Sequence, residues 1–121
     1  MARQKSGDNL GIRPDHEAAQ RAFLVDVLGY RELDVPEELA GRAHWFGSDD
    51  GVEIHLSLDP EHRPAQMAHT AVEIDPGVER RLADARIPYR SGAFGDLHLV
   101  LCEDPAGNRW ELRTNAPTEG P

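Results

Sequence analysis

The sequence predicts an α+β fold in which two similar βαβββ modules form concave mixed sheets covered by helices. Several segments alternate apolar and polar residues with the period of two that a half-buried β-strand requires. One segment near the start of the chain instead repeats apolar residues at helical spacing. The order strand, helix and three strands occurs once before and once after a Pro-rich connection at residues 59–66. Such a repeat indicates two modules packed together or related by a pseudo-two-fold axis.

The length and charge of the chain limit its partners. With 121 residues it suits a single domain, 1–121, that can bury a core. It has 13 Lys and Arg against 22 Asp and Glu, a net charge of −9, and no basic run. Nucleic acid and anionic membranes are therefore not expected as partners. The acidic surface would favour cationic ligands or simply keep the protein soluble.

Cysteine content and hydropathy indicate the compartment. The single cysteine, Cys102, excludes an internal disulfide, and no apolar run is long enough for a signal sequence or a membrane span. We therefore expect a cytoplasmic protein, since a reducing compartment is the default for such a chain.

The first module is predicted at residues 8–58. A short strand at 10–12 precedes a helix that opens at Pro14 with Asp15 as its N-cap. Apolar residues recur at helical spacing as far as Val27, and Gly29 is the expected C′ residue. Three strands follow, at 30–35, 44–46 and 52–58.

The second module is predicted at residues 67–113. A strand at 68–75, a helix at 77–87 and a short strand at 89–91 lead to a β-hairpin at 97–113. The hairpin turn is indicated by the Pro, Gly and Asn residues between Asp104 and Asn108. The leucines at 97, 99 and 101 are expected to share one apolar face with Trp110 and Leu112. Residues 114–121 are predicted to form a frayed tail.

Three polar residues are expected to face a common concavity. His55, His69 and Glu111 each alternate with apolar neighbours and so point away from the predicted core. Two imidazoles and one carboxylate can bind a divalent metal such as Zn, Fe, Mn or Ni and leave positions open for substrate and water. His16 and His62 are predicted to be solvent-exposed and to take no part.

Four segments together carry a family resemblance. They are Ala22-Phe23 with Val27-Leu28-Gly29-Tyr30, Glu53-Ile54-His55-Leu56, Ala68-His69, and Asp104-Pro105-Ala106-Gly107-Asn108-Arg109-Trp110-Glu111-Leu112. The combination resembles the vicinal oxygen chelate superfamily of glyoxalases, bleomycin resistance proteins and extradiol dioxygenases, and it covers nearly the whole chain. The resemblance implies paired βαβββ modules, a homodimer and ligands at four strand positions, three of which are His55, His69 and Glu111.

The fourth ligand position, at the start of strand one, departs from the family pattern. The usual His would fall near Gly7, Asp8 or Asn9, and none of these is His. Asp8 could substitute as an oxygen ligand, Asn9 only weakly and Gly7 not at all. The site is therefore expected to be incomplete or open on that side unless Asp8 completes it.

Two further side chains are expected to line the pocket. His98 points into the concavity if the leucines beside it face the helices. A two-residue turn at Asp50-Gly51 would put Phe46 opposite His55, whereas a three-residue loop would substitute Trp45.

The resemblance leaves two functions open. One is a metal-dependent lyase, isomerase or dioxygenase, in which the ion chelates neighbouring oxygens of an unknown substrate and Glu111 or Asp8 is the base. The histidines His55 and His69 support it. The alternative is non-catalytic sequestration of a small molecule, as in the bleomycin-resistance branch, which would suit a cationic guest and needs no fourth ligand.

Overall fold

A computed structural model describes residues 6–65 and 67–115. The chain divides after Pro64 into two compact modules. Each module contains one four-stranded mixed sheet and few helical residues, so the predicted α+β fold of two similar modules is confirmed. None of the helices in this part of the chain is long and apolar enough to cross a membrane.

The first module has the predicted order of elements. Strand β1, Ser6–Ile12, is longer than the strand expected at 10–12. It is followed by a 3₁₀ turn (Pro14–His16), helix α1 (Glu17–Ala22), a π-helical turn (Phe23–Val27), β2 (Arg31–Leu33), a second 3₁₀ turn (Glu37–Leu39), β3 (Ala43–Gly47) and β4 (Val52–Leu58). The sheet order is β1-β4-β3-β2, with β1 parallel to β4 and the other pairs antiparallel.

The helical segment of this module differs from the uniform helix that was predicted. Because Pro14 opens the 3₁₀ turn, Asp15 lies inside it, and no side chain caps either this turn or α1. The segment ends in a wider turn, in which the Leu28 amide donates to the Phe23 carbonyl at 3.0 Å. Gly29 then adopts a φ of +80° and ends the segment as predicted, since glycine reaches this conformation without steric cost.

The core of the first module lies against one face of its sheet. Phe46, Ile54 and Leu56 point to this face and are fully buried. Phe23, Leu24 and Val27 of the helical segment are buried as well. We call the opposite face of each sheet its non-core face. In the first module, His55 lies on it.

The second module repeats the arrangement. Its elements are β5 (His69–Glu73), helix α2 (Val78–Asp84), β6 (Tyr89–Phe94), β7 (Leu97–Glu103) and β8 (Arg109–Asn115), in the sheet order β5-β8-β7-β6. Val72, Val100 and Leu112 form the core face of the sheet. Thr114 is only 2% exposed within β8, so the tail does not fray at this residue, and residues 116–121 lie outside the described part.

Residues 49–51 form a three-residue loop between Ser48, which follows β3, and Val52, the first residue of β4. The Ser48 amide donates to the Val52 carbonyl at 2.9 Å, and Gly51 before it has a φ of +94°. Because three residues separate the paired residues Ser48 and Val52, Trp45 lies beside His55. This is the arrangement that the sequence predicts for a three-residue loop. The prediction that Phe46 lines a pocket is wrong, because its side chain is paired with Ile54 and buried in the core.

The β7–β8 hairpin has the same kind of loop. The Asp104 amide donates to the Asn108 carbonyl at 2.9 Å, and Gly107 has a φ of +89°. Leu101 consequently pairs with Glu111, whereas the core face receives Cys102 and Trp110. The expectation that the β7 leucines share a face with Trp110 is therefore wrong. They lie on the non-core face, beside Glu111.

Candidate functional site

A cavity of about 550 Å³ lies at the hairpin end of the second-module sheet. This volume is in the range of cavities that hold small organic molecules. The residues that line the cavity include His69, Arg90, Leu101, Glu103, Arg109 and Glu111. All described residues that line the cavity belong to the second module.

Strand register explains why these residues meet. Glu111 is paired with Leu101 on one side, and Leu101 is paired with Arg90 on the next strand. Two residues closer to the hairpin loop, Arg109 is paired with Glu103 of β7 and with His69 of β5. Residues two apart on a strand point to the same face, so both rows lie on the non-core face.

Glu111 is the centre of a hydrogen-bonded chain of side chains. Its Oε1 is 3.0 Å from His69 Nε2, and its Oε2 accepts a hydrogen bond from Arg113 Nε at 2.7 Å. The Arg113 hydrogen bond, aided by the charges of Arg113 and His69, lowers the pKa of Glu111, although burial acts in the opposite direction. Glu111 is therefore a carboxylate at neutral pH.

This arrangement can orient an imidazole for proton transfer. The Glu111 carboxylate favours a proton on His69 Nε2, which leaves Nδ1 as the nitrogen that can accept or donate a proton elsewhere. The His69 side chain is 46% exposed, so a ligand can reach it. A carboxylate that holds a histidine in one tautomer is a recurrent feature of acid–base catalysis.

The same pair provides an incomplete set of metal ligands. His69 and Glu111 supply two donors, whereas catalytic zinc sites use three protein ligands. Arg113 places a positive charge on the second Glu111 oxygen, which opposes a cation. Within residues 6–65 and 67–115, no three His, Cys, Asp or Glu side chains are arranged so that they could hold a metal ion. A metal does not fit the second-module pair on its own, and the three-residue set with His55 stays a prediction.

His55 has local partners within the first module. Its ring stacks on Trp45 with centroids 4.0 Å apart and planes 4° from parallel, and its Nε2 lies 3.0 Å from Glu53 Oε1. The neighbour of His55 on β1 is Asn9. Asp8 is instead paired with Ile54 and points to the opposite face, so the register does not place Asp8 beside His55. The residue next to His55 on β1 is therefore an amide and not a carboxylate.

His98 also points away from the expected concavity. It is paired with Thr114, and its Nε2 lies 2.9 Å from Glu79 Oε2 of α2. Because the neighbouring leucines occupy the non-core face, alternation sends His98 to the helix side. The prediction that His98 lines the pocket is therefore wrong. His16 and His62, expected to be exposed, are half-buried.

Sequence reasoning did not assign Arg90 and Leu101 to this site. Leu101 was assigned to the core, and Arg90 belonged to a strand of which only three residues were expected. The signal that would have found them is the odd number of loop residues between Asp104 and Asn108, which fixes Leu101 opposite Glu111. Arg90 then follows as the next residue across the sheet.

Cys102 lines the cavity but is expected to be unreactive. Burial, with smaller contributions from the negative charges of Asp104 and Glu103, raises its thiol pKa to about 12. Because the thiolate is the nucleophile, a folded protein at pH 8 should react with iodoacetamide far more slowly than the urea-unfolded chain. Mass spectrometry of both samples measures this, and equal alkylation rates would contradict the prediction.

Solved structures of similar shape show which fold this protein has. No protein-family model and no curated protein matches the chain. Its architecture is nevertheless that of glyoxalases and their structural relatives, over almost its whole length. The chain therefore has the vicinal oxygen chelate superfamily fold, as predicted.

Three similar structures illustrate the match. A glyoxalase family protein from Bacillus anthracis has 27% identity and a TM-score of 0.82, with 96% of this chain and 98% of that chain covered. A glyoxalase/dioxygenase from Nostoc punctiforme has 24% identity and a TM-score of 0.76, with coverage of 95% and 92%. The fosfomycin resistance protein FosX from Mesorhizobium loti has 17% identity and a TM-score of 0.69, with coverage of 98% and 97%.

Proposed function

We propose that this protein binds a small organic molecule in the second-module cavity, with the His69–Glu111 pair at the polar wall and Leu101 at the apolar wall. The observation that carries this proposal is the combination of one cavity of suitable volume with convergent polar and apolar side chains. Small-molecule sites in general have this composition. A metal-dependent reaction would need a third donor beside His69 and Glu111, so binding without a metal is the function that the geometry supports best.

A paired substitution tests the location of the site. Leu101 and Leu97 lie on the same face of β7 and are 40% and 39% exposed, but only Leu101 lines the cavity. We expect Leu101→Trp to fill the cavity and abolish ligand-induced stabilisation, whereas Leu97→Trp should leave it unchanged. Thermal shift with benzyl alcohol, phenylphosphonate and benzylammonium measures the effect. Loss of stabilisation in both variants, or in neither, would contradict the assigned cavity.

A second candidate function is proton transfer on the bound molecule. It is favoured by the hydrogen bonds that hold Glu111 between His69 and Arg113 and so fix the imidazole. A similar structure is a lactoylglutathione lyase from Agrobacterium tumefaciens, which makes lactoylglutathione a reasonable probe. If His69 is a base, the wild type should exchange the lactoyl α-proton with D₂O in an NMR assay and His69→Gln should not. Equal, background-level exchange in both proteins would leave binding as the function.

We also propose that the protein is a homodimer. The non-core face of the second module carries Phe94 at 67% exposure beside Leu97, and two large apolar groups on one face are typical of an interface. Light scattering should give twice the monomer mass for the wild type and the monomer mass for Phe94→Glu. A monomeric wild type at micromolar concentration would contradict the proposal.

A further inference from the structure

Among the described residues, no carboxylate forms an ion pair with two guanidinium groups of the second-module cavity. Arg90 and Arg109 both line the cavity and are exposed. Elsewhere in the module Arg81 pairs with Asp75, and Arg113 pairs with Glu111. Across residues 6–65 and 67–115, neither Arg90 nor Arg109 takes part in an ion pair. Two positive charges are thus available to a ligand.

The strand register places the two arginines on either side of Leu101. Arg90 is the direct neighbour of Leu101 on β6. Arg109 is two residues before Glu111, which is the direct neighbour of Leu101 on β8. All of these side chains point to the non-core face. A ligand whose apolar part contacts Leu101 therefore has a guanidinium group within reach on both sides.

The carboxylates of the cavity do not cancel these charges. Glu111 is already neutralised by Arg113 and hydrogen-bonded to His69. Glu103 is the remaining carboxylate among the described lining residues, and its single negative charge is outnumbered by the two positive charges of Arg90 and Arg109. The net charge of −9 on the whole chain does not decide the matter, because charges more than about 10 Å away are largely screened at physiological salt.

We propose that the cavity binds an organic anion, a carboxylate, phosphate or phosphonate attached to a small apolar body. This inference rests on the proposed function and adds the charge of the ligand. Arg90 and Arg109 hold the anionic group, since a guanidinium presents paired N–H donors that match two oxygens. Leu101 contacts the apolar body. The overall acidity of the chain would suit a cationic guest, whereas the local charges of the cavity favour an anionic one.

Three probes of similar size and different charge test the proposal. Phenylphosphonate, benzyl alcohol and benzylammonium are titrated into the full chain by calorimetry at low salt. We expect phenylphosphonate to bind most tightly. Arg90→Gln and Arg109→Gln should each weaken its binding about fivefold, because each removes a charge-assisted hydrogen bond. Glu103→Gln should strengthen it about threefold, because it removes a repelling charge.

The controls separate charge effects from unfolding. Arg80→Gln removes an exposed arginine of α2 that does not line the cavity, and it should change nothing. The opposite signs expected for Arg109→Gln and Glu103→Gln cannot arise from general destabilisation. Circular dichroism melts verify that every variant is folded.

The outcomes also distinguish this inference from the proposed function. If benzyl alcohol or benzylammonium binds more tightly than phenylphosphonate, the anionic ligand is refuted while the cavity remains a binding site. If Glu103→Gln weakens phenylphosphonate as much as the arginine variants do, charge is not the determinant and the inference fails. If none of the three probes binds the wild type, both the inference and the proposed function are overturned.

Discussion

Replacing Asp104 by Ala is expected to lower the free energy of unfolding by about 3 kcal/mol. The Asp104 carboxylate is 4% exposed and accepts hydrogen bonds from other residues of the β7–β8 hairpin. Its Oδ1 accepts from the Ala106 and Asn108 amides at 3.0 and 2.8 Å, and its Oδ2 accepts from Trp110 Nε1 at 2.8 Å. The alanine variant leaves these donors without their acceptor, and each unsatisfied buried donor costs free energy.

Urea denaturation of wild type and variant measures this loss. Ser48 offers a matched control, since its hydroxyl accepts from the Val52 amide at 3.0 Å in the equivalent loop of the first module. Ser48→Ala removes that acceptor at a more accessible position and should cost about 1 kcal/mol or less. Equal destabilisation by both variants would contradict the larger cost expected for losing the buried Asp104 acceptor.

The β7–β8 hairpin shows how far the sequence predicts this structure. Its turn residues and alternation predict two antiparallel strands correctly, because turn chemistry and strand period are local properties. The face of each side chain depends on loop length, and one residue of register moves a whole strand to the other side of the sheet. Leu101 was placed in the core for this reason, although it is 40% exposed beside Glu111.

The candidate site also contains residues whose positions strand alternation predicts and residues whose contacts it does not predict. His69 and Glu111 were predicted to share a face, and the structure brings their side chains within 3.0 Å. Both lie in strands whose own pattern fixes their direction. Arg113 is two residues after Glu111 and so shares its face, but its hydrogen bond to Glu111 depends on a side-chain conformation that no sequence pattern encodes. The predicted direction of His98 depended on that of the β7 leucines, so His98 was assigned to the wrong face together with them.

The register of the two modules identifies the strand-one position that has no histidine. In the second module His69 is paired with Arg109, two residues before Glu111. In the first module the position two residues before His55 is Glu53, and its partner on β1 is Gly7. Gly7 is thus the counterpart of His69. Since glycine has no side chain, the first module cannot provide the equivalent ligand, and neither Asp8 nor Asn9 occupies that register position.

Replacing Arg113 by Gln is expected to raise the affinity of the protein for Ni²⁺ about tenfold. Arg113 Nε donates a hydrogen bond to Glu111 Oε2 at 2.7 Å. It therefore places a positive charge beside the two candidate metal ligands, His69 and Glu111. The substitution frees the second carboxylate oxygen and removes the repulsion of a cation. Calorimetric titration with NiCl₂ measures the affinity of both proteins.

Two further variants decide whether the gain comes from the freed oxygen. Arg109→Gln removes a positive charge from the same strand and face, but Arg109 makes no ion pair with Glu111, so a smaller gain is expected. Adding His69→Ala to Arg113→Gln should abolish the gain, because one of the two donors is lost. If Arg109→Gln and Arg113→Gln raise the affinity equally, charge alone acts and Glu111 is not a ligand. If Arg113→Gln has no effect, the guanidinium is not what keeps a metal from this pair.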